Sequence, residues 1–442
     1  MSAHTPLLLA ATLAATVAAT VAGAQPASLA ARVTAASGPA TLRFATRDGA
    51  CGDGRDFIAL GDRITINGSY RSIGGRWTST ACVPGPARVT LVVRDGAVDD
   101  VRVHVGGAAP GADARDLGVV PAAEAAAYLL TVAGGTSGRA AQQALVGAAL
   151  ADSADVWRPL LALARRHADA DVARSAMHWL GAVAPAEAVP VLARALATAD
   201  ERRPVREGAA VALAHAPAGI GVPALAAAAA GRPDAGGADA WVRDRALFWL
   251  GNARDPRARA TLRTLAAADT APETVRAQAI FALGHLDRDA DGDAGDAGDG
   301  AVGNGAFLRT LYPRLTAERL QDRLIQSIAQ MDDAESRRWL LGLAADAGQP
   351  LAARKRALFW AGQQERVRIE ELVAVDPRLT GAELRRHYAF VLSQRREDAA
   401  VDQLIAMARA EPDRGVRRQA IFWLGQSRSP RARRYLESVV AP

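Results

Sequence analysis

The 442 residues are half apolar and carry a formal net charge of +6, a composition that fits a folded chain and excludes a disordered one. The two cysteines, Cys51 and Cys82, are too far apart in sequence for a zinc-site or redox-motif spacing. The charge is uneven: residues 119–286 hold 17 basic and 15 acidic groups, while residues 301–442 hold 24 and 17, so any net field sits in the C-terminal part.

The first predicted element is a signal peptide over residues 1–24. Every residue from Leu7 to Val21 is Leu, Ala, Val or Thr, and the run ends in Ala22-Gly23-Ala24, the small-x-small pattern that fits a signal peptidase pocket. Cleavage after Ala24 places the mature chain in the periplasm or outside the cell. A retained N-terminal membrane anchor is the alternative, although the run is poor in Leu, Ile and Phe. Beyond residue 24 no stretch is apolar enough to span a bilayer.

Residues 25–105 are expected to form a small β module. Arg88–Val93, then Arg94-Asp95-Gly96, then Ala97–Val105 reads as a hairpin with an Asp-Gly turn. The shorter stretches TLRFAT, DFIAL and RITING precede it. A core this small benefits from a staple, and in an exported chain Cys51 and Cys82 are expected to supply one, worth roughly 3 kcal/mol. Residues 106–118 read as a flexible linker by composition.

From residue 119 onward one ten-residue block recurs. It starts at Ala140, Val172, Val205, Val242, Val275, Leu320, Ala353, Leu384 and Val416, with spacings near 33 residues and two longer gaps. The longest gap holds an Asp/Gly-rich insertion at 287–304. Positions 1, 5, 8 and 9 of the block are the apolar ones and share one helical face. A second amphipathic stretch precedes each block, so each unit is a helical hairpin that cannot bury its apolar face alone. The expected fold is therefore mainly α: a superhelical α/α solenoid of about nine hairpins over 119–442, preceded by the disulfide-stapled β module. The Trp residues at position 8, namely Trp179, Trp249, Trp360 and Trp423, are assigned to its core.

The Val-Arg start of the block, with its recurring small residue, resembles the HEAT-repeat family and particularly its short bacterial HEAT-like form. That resemblance covers residues from about 120 to 440 and implies an α/α superhelix, usually a protein-binding scaffold. It also implies that Arg206, Arg243, Arg276, Arg354, Arg385 and Arg417 at position 2 form a hydrogen-bond ladder between neighbouring turns. Gln321, Ser327 and Tyr388 depart from the pattern.

Three features are candidates for a site. Position 7 carries Phe248, Phe281, Phe359, Phe390 and Phe422. Beside it run Arg245, Arg323 and Arg356 at position 4, and Gln363, Gln394 and Gln426 at position 11. Stacked repeats would align these into rows suited to a protein or an extended peptide; the competing reading packs the Phe rings between repeats. Asp287, Asp289, Asp291 and Asp293 open like a calcium loop, but position 12 is Gly298 and not the bidentate Glu. The third is the basic edge Arg428, Arg431, Arg433 and Arg434, which serves either a charged cap or an acidic partner.

No catalytic motif stands in the chain: there is no HExxH, no Gly-x-Ser-x-Gly, no phosphate-binding Gly loop and no CxxC. The expected function is thus a non-catalytic, exported interaction scaffold with no cofactor beyond the calcium candidate. The alternatives are a HEAT-like chromophore-handling enzyme and a nucleic-acid-binding solenoid. The export signal disfavours the second.

Overall fold

The computed structural model describes residues 28–36, 38–55, 57–60, 63–66, 69–71, 82–106, 114–231, 240–253, 255–288, 303–331 and 333–440. The signal-peptide expectation, and Asp289, Asp291 and Asp293, lie outside these residues. Asp287 lies within a helix, and its side chain is not among those described.

A short helix α1 (Leu29–Thr34) opens the described chain, and two sheets follow. The first is built from β1 (Pro39–Phe44), β7 (Ala87–Arg94), β8 (Ala97–Val105) and β9 (Arg115–Val119), in the order β8-β7-β1-β9. The second contains β2 (Ala50–Gly52), β3 (Phe57–Leu60), β4 (Arg63–Ile66), β5 (Ser69–Arg71) and β6 (Val83–Pro84), in the order β5-β4-β3-β2-β6. The β7–β8 hairpin turns at Asp95 and Gly96, both at positive φ (51° and 77°), as a two-residue turn matching strand twist requires. Val89, Leu91, Val101, Val103 and Val105 alternate inward and are buried.

Cys51 and Cys82 are bonded, with Cα atoms 5.2 Å apart, and pack with Phe57 and Ala59 in a small cluster separate from the main core. Reduction is therefore expected to cost about 3 kcal/mol in the chain-entropy model and to loosen the second sheet while the helices hold. Hydrogen exchange with and without reductant checks this: strand amides of β2 and β3 should lose protection, and those of α5 or α11 should not.

The linker expectation needs correcting at its C-terminal end, residues 107–113 lying outside those described. Residues 115–119 form β9, which pairs in parallel with β1. Leu117 is buried, Arg43 bridges Asp116 at 3.0 Å, and Arg32 donates to the Leu117 carbonyl. Composition marked this stretch as loose because only one apolar residue in it turns inward. Those cross-strand contacts decide its structure.

Twenty α-helices in all are described, and eighteen of the nineteen after the sheets pair into nine hairpins. They are α2 (Ala122–Gly135) with α3 (Gly138–Leu150), α4 (Trp157–Arg166) with α5 (Ala170–Val183), and α6 (Ala188–Ala197) with α7 (Arg203–Ala214). Next come α8 (Val222–Ala229) with α9 (Ala240–Leu250), α10 (Pro256–Ala267) with α11 (Glu273–Arg288), and α12 (Asn304–Leu311) with α13 (Glu318–Met331). The series closes with α14 (Ala334–Ala345) and α15 (Leu351–Gln363), α16 (Ile369–Val375) and α17 (Ala382–Ser393), α18 (Asp398–Ala410) and α19 (Arg414–Gln426), then α20 (Pro430–Val440). All nine recurring blocks fall on the second helix of a hairpin.

Helix starts follow ordinary capping chemistry. Asp169, Asp333 and Asp413 each accept from backbone N–H groups of the first turn, satisfying donors that have no partner within the helix. The position-2 arginines do the complementary task. Arg206, Arg276 and Arg354 donate from Nε to Leu196, Ala266 and Ala344, at 3.1, 3.3 and 3.0 Å. These carbonyls close the first helix of the same hairpin, so the arginines cap its negative end. For Arg206, Arg276 and Arg354 the expected ladder between repeats is therefore a cap within the repeat, while Arg354 to Thr380 and Arg385 to Glu411 also cross to the next.

Other side chains link the repeats. Arg202 donates to the carbonyls of Arg165 and His167, Gln364 to Ala329, and Arg395 to Gly362, Gln364 and Val367. Successive second helices pack directly on one another, whereas successive first helices touch only sparsely. The second-helix layer therefore lies on the inside of the curve.

The sheet and the array share one core. Val103 N–H donates to Oε1 of buried Gln143 at 3.1 Å, and Arg47 donates to the Ala149 carbonyl. A Cβ at Gly147 would come within 2.8 Å of Leu129 and 3.4 Å of Val103, so α3 lies close against β8. The first sheet thus covers the N-terminal end of the stack.

Candidate functional site

Positions 1, 5 and 9 of each second helix are sealed, as Val242, Ala246 and Leu250 illustrate at 0% exposure. Position 7 lies roughly 200° around the helix from that set at 100° per residue, which turns it to the inner surface. Phe248 and Phe422 are 38% and 53% exposed, and Phe281, Phe359 and Phe390 are half-buried. These rings are therefore neither core nor free. They lean on neighbours while keeping a face in water.

The rings also meet across repeats. Phe359 and Phe390 lie parallel with centroids 6.4 Å apart, and Phe390 reaches Trp423 at 5.5 Å. Phe248, Phe359 and Phe422 each meet the following Trp edge-on, at 5.2, 5.4 and 5.0 Å. Both readings of the row hold in part: the rings contact the next repeat, and a row of exposed aromatic surface survives.

Only Trp179 among the position-8 indoles is fully buried, at 1% exposure. Trp249, Trp360 and Trp423 are half-buried at the edge of the core, so the inner face carries more aromatic surface than position 7 alone indicates. No signal for this stood in the sequence. Position 8 holds Gly, Trp, Ala, Ser or Val, and Ala212, Ala282, Ser327 and Val391 are buried there as Trp179 is, so size at this position does not mark which indoles stay open.

The basic residues beside the row divide. Arg323 lies over the Phe281 ring at 5.1 Å and Arg245 over Phe248 at 5.3 Å, so two guanidinium groups border the aromatics. Arg356 instead pairs with Asp322 of the preceding repeat at 2.5 Å and is committed to joining helices. Gln363, Gln394 and Gln426 are exposed, with Gln394 donating to Ser393 at 3.2 Å. Asn252, at the same register, caps its own helix by donating to the Phe248 carbonyl. His387 lines the row beside Phe390, its Nε2 at 2.9 Å from the Lys355 carbonyl. Burial holds its imidazole below the usual histidine range.

A charged cluster lies inside the C-terminal repeats. Arg385 is held between Glu411 and Asp376, and Gln403 donates to Asp376 at 3.0 Å. Tyr388, fully buried, donates to the Leu372 carbonyl at 3.0 Å. Burial pushes the Asp376 carboxyl up, opposed by Arg385. The carboxylate oxygens are occupied by Arg385 and Gln403, which suits a structural tie between helices. Among the described residues no group of three or more His, Cys, Asp or Glu side chains gathers in metal-ligand geometry. Among them, too, no helix is long and apolar enough to cross a membrane.

No family model matches the chain, and no curated protein does so. Among solved structures, human deoxyhypusine hydroxylase in complex with glycerol is similar at 18% identity, over 58% of this chain and 90% of that one, with a TM-score of 0.26. A lipovitellin structure is similar at 13% identity, over 81% of this chain and 42% of that one, with a TM-score of 0.38. Likenesses this distant carry no argument about function.

Proposed function

We propose that the chain is a non-catalytic, exported scaffold of HEAT-like type whose inner face holds an extended segment of a partner protein. The observation that carries this is the partial exposure of the position-7 rings, on helices whose apolar residues at positions 1, 5 and 9 are sealed. Burying exposed aromatic surface yields about 25 cal/mol per Å², and aromatic anchors edged by arginine are the usual centres of recognition. The spacing favours an extended ligand. Alternate side chains of a strand stand about 6.6–6.8 Å apart, close to the 6.4 Å between Phe359 and Phe390.

Site-specific photocrosslinking tests this reading. A benzophenone-bearing phenylalanine analogue at Phe359 or Phe390 should trap one discrete partner from a cell-envelope extract. The same analogue at the exposed Arg338 on outer helix α14 should trap none. Equal labelling from both faces would defeat the proposal.

A further inference from the structure

The repeats offer an internal comparison. Residues 312–346 and 376–411 follow the same course. Each begins with a 3-10 turn where a first helix ends, Tyr312-Pro313-Arg314 or Asp376-Pro377-Arg378. A second helix follows, then the first helix of the next repeat, which closes on Asp346 or Glu411. In the later copy one arginine ties these parts together. Arg385, at position 2 of α17, donates to the Leu379 carbonyl and to the carboxylates of Asp376 and Glu411.

The earlier copy has no such arginine. Position 2 of α13 is Gln321, whose amide donates to the Leu315 carbonyl at 2.7 Å, as Arg385 does to Leu379. Its shorter side chain makes no bond to the next repeat among the described residues. Asp346, the counterpart of Glu411, accepts from Gly348 and Gln349 at 2.9 and 3.0 Å and has no ion pair among the described residues. Those bonds, the Gly348 N–H first, hold its carboxyl below the usual range, so it is charged at neutral pH.

Between the ends of α12 and α14 lies a cavity of about 370 Å³, whose lining includes Arg309, Tyr312, Pro313, Trp339, Asp346 and Gln349. Tyr312 is 5% exposed, and its buried hydroxyl has no hydrogen-bond partner among the described residues. Buried hydroxyls without a partner are rare and costly. The Tyr312 ring meets Trp339 at 82° with centroids 5.3 Å apart, which makes an aromatic corner. Burial, then the charges of Asp322 and Asp346, push the phenol up, so the hydroxyl keeps its proton in a negative field. Arg309, the cation at the rim, is committed to Glu335 at 2.5 Å. The insertion before α12 brings no cation: residues 289–303 hold no Lys or Arg, and they join α12 at its other end.

We infer that this cavity binds a guanidinium group from outside the chain, seated against Tyr312 and Trp339 and paired with Asp346 as Arg385 is paired with Glu411. Guanidinium suits the corner because it is planar, stacks on aromatic faces and donates in a fork to a carboxylate. Its N–H groups also suit the Tyr312 oxygen, which accepts as well as donates. A neutral or anionic ligand would leave the charge of Asp346 uncompensated.

Methylguanidine is the probe, titrated onto the full-length protein and followed by saturation-transfer difference NMR. It should bind saturably, and at least tenfold more tightly than methylurea, which is close in shape and uncharged. Asp346→Asn should weaken binding at least tenfold. Asp346 is exposed and asparagine keeps an acceptor for Gly348, so melting of this variant should match the wild type. Gln321→Arg is the more direct test. An arginine at position 2 supplies the group from within, so binding should fall at least tenfold while the melting temperature holds or rises. Should Gln321→Arg melt early, Asp346→Asn carries the comparison. N-acetylarginine N-methylamide separates the two sources of the group, both within the proposal. Affinity equal to that of methylguanidine assigns it to a partner's arginine side chain, and exclusion assigns a small free guanidino compound. Equal affinity for methylguanidine and methylurea, binding indifferent to both variants, or no saturable binding would overturn the inference.

Discussion

Replacing Arg385 by Met should destabilise the C-terminal repeats by about 3–5 kcal/mol at neutral pH, the usual cost of leaving buried charge without its partner. Arg385 sits between Asp376 and Glu411, whose side chains are 19% and 4% exposed. Methionine would fill most of the volume and leave two carboxylates facing each other in a site of low polarity. The loss should shrink as the solution is acidified. Burial already raises the Asp376 carboxyl above its usual value, and removing the guanidinium removes the influence opposing that rise. A carboxyl raised in the folded state binds more protons there than in the unfolded chain. Stability therefore falls as pH climbs from the unfolded carboxylate value, about 3.9, through the raised one, and is flat above. Urea melts of both proteins at pH 4.5 and 7.5 check this. A penalty independent of pH, or below 1 kcal/mol, would mean the cluster is hydrated.

The second large effect is expected at Trp179. It is 1% exposed, meets His178 edge-on at 5.4 Å, and lies on a helix packed between α3 and α7. Trp179→Ala should cost about 3–5 kcal/mol, from lost transfer energy and the cavity left behind. Trp360 has the same block position but keeps part of its surface in water. Trp360→Ala should therefore cost about half as much. Because each repeat touches only its neighbours, the damage should stay local. Hydrogen exchange should show protection falling in α5 and adjoining helices while α15 to α19 hold. Equal penalties at the two tryptophans would contradict a closed site at one and an open edge at the other.

Periodicity alone made the array legible. A residue such as Val242 or Ala246 is apolar in each copy because the same packing problem is solved each time. The block starts therefore mark helices, and the 37- and 45-residue gaps mark insertions. The β7–β8 hairpin was equally readable, since Asp95-Gly96 supplies the positive φ its turn demands. What escaped depends on partners distant in sequence. Strand β9 has one inward residue, Leu117, and becomes a strand because β1 lies beside it. Arg206 and Arg276 cap the helix within their own hairpin because Nε reaches a carbonyl ten residues back, a direction no periodicity encodes. Trp360 and Trp423 read as core because identity at a repeat position carries no information on how far the neighbour closes over it. The aromatic row was legible as a row; its half-exposure was visible only once the helices were stacked.

The inner recognition face is tested most directly by changing Phe281, Phe359, Phe390 and Phe422 together to Ser, then measuring helicity, melting and partner capture on the same sample. Half-buried rings cost about 1 kcal/mol each when removed, spread over separate repeats, so the variant should stay helical and melt only a few degrees early. It should lose the partner trapped by the wild type. A variant that unfolds would show the rings to be core, and one that folds and still captures the same partner would place recognition elsewhere on the molecule.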